Sequence, residues 1–108
     1  MIQEITVTEL QTQLASDNKP YLLDVREDVE VAQAKLAFDK HISVGDLVDE
    51  YETLPKDRTI VVYCRSGARS QRAIEFLKDR GFDHEKLINL KGGIHAWADH
   101  IDPSMAKP

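Results

Sequence analysis

With one cysteine in 108 residues, the chain can form no disulfide within itself, so its thiol is structural, reactive, or paired with another chain. No apolar run approaches the roughly 18 residues needed to cross a bilayer. The opening Met1-Ile2-Gln3-Glu4 has neither the basic region nor the apolar core of a signal peptide. A cytoplasmic protein without a membrane partner is therefore expected. Positive charge is scarce, since 14 Lys and Arg against 19 Asp and Glu leave a formal net charge of -5. Only Arg65, Arg69 and Arg72 cluster, so the attraction to phosphate that dominates nucleic-acid binding is weak and no nucleic-acid partner is expected. His41, His84, His95 and His100 show no metal-ligand spacing, and a lone cysteine argues further against zinc. No metal site and no role for the histidines is expected.

No Pro/Gly/Ser-rich stretch and no internal repeat divides the chain, and an apolar fraction of 42% with 31% charge is that of an ordinary soluble domain. This predicts one domain over residues 1–102 and a frayed tail over 103–108. Ile5 ends a short strand and runs into a helix that stops near Ser16, with Thr6 and Glu9 at capping-box spacing and Ile5 and Leu10 placed as a staple. Tyr21-Leu22-Leu23-Asp24-Val25 suits a strand covered on both faces, with Arg26 at its carboxyl end. Glu27, Asp28 and Glu30 follow, which suits the start of a solvated helix. His41-Ile42 reads as a short strand and residues 46 to 54 as an amphipathic helix ending before Pro55. Thr59 to Tyr63 is the clearest strand, because it is a β-branched apolar run. Ala73, Ile74, Phe76 and Leu77 then recur at helical spacing up to a stop at Gly81-Phe82. A strand over Leu87 to Leu90 and a helix carrying Ile94, Trp97, Ala98 and Ile101 complete the pattern. Alternating strands and helices predict an open, mainly parallel α/β sheet with helices on both faces. Sites in such sheets form beyond the carboxyl ends of the strands, where Cys64, Asp24 and Arg26 all fall.

Between the strand ending at Tyr63 and the helix near Arg69 lies Arg65-Ser66-Gly67-Ala68. Its small residues let backbone N–H groups converge on one point, an anion nest reinforced by a helix N-terminus. That point is where the Cys64 sulfur belongs, with Arg65 and Arg69 adding full charges. Such surroundings lower a cysteine pKa from about 8.5 to roughly 3.5–7.5. A packing cysteine has no use for two arginines and a glycine within five positions, whereas a bound anion does, so Cys64 is expected to be nucleophilic near neutral pH.

Three segments carry a family resemblance: Leu22-Leu23-Asp24-Val25-Arg26-Glu27, Ile60 to Ser70 with its Cys64-Arg65-Ser66-Gly67-Ala68-Arg69 loop, and Leu90-Lys91-Gly92-Gly93-Ile94-His95-Ala96-Trp97. In this order they resemble the rhodanese-like family of sulfurtransferases. The resemblance implies the rhodanese-like fold and a cycle needing no metal or organic cofactor. Cys64 takes a sulfane sulfur from a small donor such as thiosulfate, holds it as a persulfide, and passes it to cyanide or to a thiol acceptor, including a protein thiol. It implies that Cys64 is the catalytic nucleophile and that Arg65, Ser66, Gly67, Ala68 and Arg69 bind the substrate, with Arg65 or Arg69 meeting the anionic donor. One of those arginines has a structural alternative, pairing with an acid such as Asp24. Asp24 and Arg26 have a supporting place, which a salt bridge or a strand-end hydrogen bond explains at least as well. Gly92 and Gly93 suit a tight reversal, and Trp97 suits the core. The family's Gly-His-Ile-Pro-Gly-Ala segment is absent, its nearest counterpart being His41-Ile42-Ser43-Val44-Gly45. Cysteine phosphatases and arsenate reductases use a similar cradle, but with five residues between cysteine and arginine, against the four of residues 65 to 68 here. A sulfur-relay or binding module is the other alternative.

Overall fold

The computed structural model describes residues 2–107, so Met1 of the opening segment and Pro108 of the tail lie outside the described residues. Five short strands, β1 (Gln3–Ile5), β2 (Tyr21–Asp24), β3 (Lys40–His41), β4 (Ile60–Tyr63) and β5 (Leu87–Leu90), form one sheet in the order β1-β5-β4-β2-β3. Every pairing is parallel, and each parallel connection needs a crossover. Helices α1 (Val7–Leu14), α2 (Asp28–Gln33), α3 (Leu47–Glu50), α4 (Ala68–Asp79) and α5 (Gly93–His100) lie between and after the strands.

Because side chains alternate along a strand, the unbroken apolar runs feed two cores. Leu23, Ile60, Val62 and Leu87 face Ala73, Ile74 and Leu77 of α4, while Leu22, Val61, Tyr63 and Leu90 join Val7, Leu10 and Ile94 on the other side. Thr6 caps α1 as the spacing predicts, accepting from the Glu9 N–H at 3.1 Å while its own N–H donates to the Glu9 carboxylate at 2.9 Å. Gly81, with φ 92°, ends α4, and the Phe82 N–H turns back to the Leu77 carbonyl at 3.1 Å.

The helix expected over residues 46 to 54 is broken. The chain makes a 3-10 turn at Val44–Asp46, the single α turn of α3, and a second 3-10 turn at Tyr51–Thr53. Leu47 and Leu54 are buried but Val48 is 53% exposed, so the segment is pinned at two points. Asp46, Val48, Asp49 and Thr53 of this segment are weak helix formers, and a helix this short needs packing along its length to persist.

No helix among the described residues is long and apolar enough to cross a membrane.

Candidate functional site: the Cys64 loop

The carboxyl end of β4 delivers Cys64 into a turn that ends where α4 begins. Cys64 is 1% exposed. Gly67 adopts φ 118°, a left-handed conformation that disfavours a side chain, and this turns its N–H onto the sulfur at 3.0 Å. The Ser70 hydroxyl lies 3.4 Å from the same sulfur. Burial alone would push the Cys64 thiol up. The Ser70 hydroxyl and the backbone N–H groups of Ser70, Gly67 and Ser66 outweigh it and hold the thiol below its ordinary value. The Gly67 N–H and the Ser70 hydroxyl thus both meet the sulfur, and Ser70 lies one residue beyond the loop expected from sequence.

The start of α5 holds the other side of the loop. The Ile94 N–H donates to the Cys64 carbonyl at 2.9 Å and the His95 N–H to the Arg65 carbonyl at 3.1 Å. A peptide's C=O and N–H point in opposite directions, so drawing these carbonyls toward α5 turns the N–H groups of Arg65 and Ser66 away from it, toward the inside of the turn. Gly93 makes that approach possible, because a Cβ there would lie 2.5 Å from both carbonyl oxygens. Its role is close contact with the loop in addition to the reversal expected from sequence.

The two arginines separate. Arg69 makes a two-pronged pair with Glu30 of α2, at 2.6 Å from Nη1 to Oε1 and 2.8 Å from Nη2 to Oε2. The expected structural alternative is thus realised, with Glu30 in place of Asp24 as the acid. Glu30 is itself more than a solvated helix start, since it also accepts from the Glu27 N–H at 3.0 Å. Arg65 is exposed, and its Nε donates to His95 Nε2 at 3.3 Å. Ser66 and Ala68 are exposed, Ala68 being the first residue of α4.

Asp24 and Arg26, both fully buried, form a salt bridge at 2.7 Å. Arg26 Nη2 also donates to the Ala34 carbonyl at 2.8 Å, while the Arg26 carbonyl accepts from Ser43 Oγ at 3.1 Å and lies 2.7 Å from His41 Nε2. These bonds tie the end of β2 to the chain on either side of β3. Sequence reasoning gave no role to His41 and His95, which here hold backbone and loop.

The Glu30–Arg69 pair has a pH signature. Hydrogen bonds from Arg69 bring the Glu30 carboxyl down to about 2 against the opposing effect of its burial. Its contribution to stability is then full above the unfolded carboxyl value of about 4.3 and lost as pH falls toward 2. Glu30→Gln is expected to cost about 1–2 kcal/mol near neutral pH, the range for a charge-assisted pair. The difference from wild type should shrink steadily below about pH 4, as urea titrations at several pH values would show.

The single cysteine thus sits at the carboxyl edge of a parallel α/β sheet, in a turn where the Gly67 N–H and the Ser70 hydroxyl meet its sulfur. The pattern of the rhodanese-like domain matches residues 6–100, and the chain belongs to that family. It is 40% identical over 102 residues to the candidate sulfurtransferase YtwF of Bacillus subtilis, covering 94% of this chain and 96% of that protein. It is 37% identical over 106 residues to a sulfurtransferase of Allochromatium vinosum, covering 98% and 97%. Among solved structures, a rhodanese-like domain protein from Staphylococcus aureus superposes with a TM-score of 0.83 at 28% identity, over 99% of each chain.

Proposed function

We propose that this chain is a sulfurtransferase that carries sulfane sulfur on Cys64, from a donor such as thiosulfate to cyanide or a thiol acceptor. The observation that supports it most is the Gly67 N–H 3.0 Å from the Cys64 sulfur, inside a turn whose hydrogen bonds favour the anion. The thiolate attacks the outer sulfur of thiosulfate, a new S–S bond forms on Cys64, and sulfite leaves with the electron pair of the broken S–S bond. Cyanide or a thiolate then attacks the outer sulfur of the persulfide, and Cys64 departs as the thiolate. Both anions, thiolate and persulfide, are stabilised by the same preorganised N–H groups. No metal or organic cofactor enters the cycle.

Cys64 is the nucleophile in this reading, and the backbone from Arg65 through Ser66, Gly67 and Ala68 to Arg69 forms the cradle. The two-pronged pair to Glu30 commits the Arg69 side chain to holding α2 against the start of α4. We assign donor contact to Arg65, whose side chain is exposed beside the loop. The same commitment disfavours a phosphatase reading, in which an arginine must wrap a tetrahedral oxyanion.

Steady-state assays varying thiosulfate and cyanide test the proposal. Parallel double-reciprocal lines are expected, the pattern of a covalent intermediate that forms before the second substrate reacts. Intersecting lines would contradict it. Transfer to a protein thiol far faster than to cyanide would assign the chain to sulfur relay.

A further inference from the structure

Asn89 is the only polar residue in β5, whose sequence is Leu-Ile-Asn-Leu, and it is 3% exposed. A buried amide needs partners. Its Nδ2 donates to the Gly67 carbonyl at 3.2 Å, which turns Oδ1 toward the fully buried Ser70, whose Oγ lies 2.5 Å away. The flipped amide would set two carbonyl oxygens against each other, so this orientation follows from the partners. Ser70 Oγ also lies 3.1 Å from the Gly67 carbonyl and 3.4 Å from Cys64 Sγ. One hydroxyl proton thus has three acceptors within reach.

We propose that Ser70 is a catalytic residue and Asn89 its positioning partner: the Ser70 hydroxyl proton swings from Asn89 Oδ1 to Cys64 Sγ as the thiol becomes a thiolate. In the thiol state the hydroxyl donates to Asn89 and offers a lone pair to the S–H. When Cys64 ionises, its proton leaves to a base in solvent, and Ser70 keeps its own proton but turns it to the sulfur. No proton passes between Ser70 and Cys64. Attack on the donor moves the negative charge to the outer sulfur, and the hydroxyl is free to return to Asn89. That last step rests on the persulfide reading above; the swing on ionisation does not.

Charged and titratable groups on the elements packed around the loop include Arg65, Arg69 and Arg72, Glu27, Asp28 and Glu30 at α2, Asp24 and Arg26 at the end of β2, Lys40 and His41 of β3, Tyr63 of β4, Lys91 after β5, and His95, Asp99 and His100 of α5. None is altered in the variants that follow, so a change in Cys64 ionisation reports the hydroxyl. The test is a pH titration of the Cys64 thiolate by its ultraviolet absorbance, with thermal melts to check folding. Ser70→Ala is expected to raise the midpoint by on the order of one pH unit, because the thiolate loses a donor. Asn89→Leu should move it the other way, because the hydroxyl is released from its competing acceptor. If leucine disturbs β5, Asn89→Ala serves instead and should likewise lower the midpoint, since it also removes the competing acceptor and adds no charge. Ser70→Thr, which keeps the hydroxyl, should titrate with the wild type. A Ser70→Ala midpoint equal to wild type, or Asn89→Leu shifting in the same direction as Ser70→Ala, overturns the proposal. These titrations require no sulfur donor, so failure of the persulfide reading would appear separately, as absence of a mass adduct.

Discussion

Cys64→Ser is expected to keep the fold and to lower sulfur transfer by about 10⁴-fold or more, the scale on which loss of a covalent nucleophile acts. Serine is close in size to cysteine, and the Gly67 N–H and Ser70 hydroxyl that meet the sulfur would meet its oxygen instead. The site is buried among Leu23, Val62 and Ala73, so a polar atom there carries a cost, but it is a hydrogen-bonded one. A stability loss within about 1–2 kcal/mol is expected. Chemistry suffers far more. The hydrogen bonds of the loop hold the Cys64 thiol below its ordinary value, whereas the same bonds leave an alcohol un-ionised. Thiocyanate formation from thiosulfate and cyanide, measured beside a thermal melt, separates the two effects. A variant that is folded and retains a tenth of wild-type turnover would remove Cys64 from the centre of the account.

The next largest effect is expected at Gly93→Ala, far from Cys64 in sequence. The added methyl would lie 2.5 Å from the carbonyl oxygens of Cys64 and Arg65, well inside contact distance. Gly93 also has φ 61°, where a side chain is strained. Neither partner can yield cheaply, because those carbonyls already accept from the Ile94 and His95 N–H groups. Relief requires α5 to withdraw from the loop, which breaks both bonds and releases the peptides that aim N–H groups into the nest. A destabilisation of about 3 kcal/mol or more is expected, together with loss of the lowered Cys64 ionisation. Gly45→Ala is the control, since nothing lies within 4 Å of a Cβ at that position, and it should change stability by no more than about 0.5 kcal/mol. Urea denaturation of the two variants gives the comparison directly.

The sheet was legible because its strands are short apolar runs, and the loop was legible because Gly67 and two arginines surround one cysteine. Partners distant in sequence were not. Glu30 stands in an acidic run that the helix dipole accounts for, and nothing local shows that Arg69, 39 residues on, comes to meet it. His95 and Arg65 meet across 30 residues in the same way. Asn89 did leave a signal, an amide inside an otherwise apolar strand, which must find a buried partner. Ser70, at the first turn of α4 and three residues past Gly67, carries the mark of a side chain able to bond back to the preceding turn, as it does at 3.1 Å. The broken helix over residues 46 to 54 shows where pattern reading fails: an amphipathic pattern predicts one helix there, but Leu47 and Leu54, the buried anchors, stand among weak helix formers and do not sustain it.

Intact-mass measurement after exposure to thiosulfate bears most directly on the central claim, that Cys64 carries sulfur covalently. The wild-type chain is expected to gain about 32 Da, one sulfur atom, and to lose it on treatment with cyanide or a reducing thiol, as exchange at a thiolate requires. Cys64→Ser is expected to gain nothing. An unchanged wild-type mass with thiosulfate and with other sulfane-sulfur donors, or an equal gain in Cys64→Ser, would contradict the account.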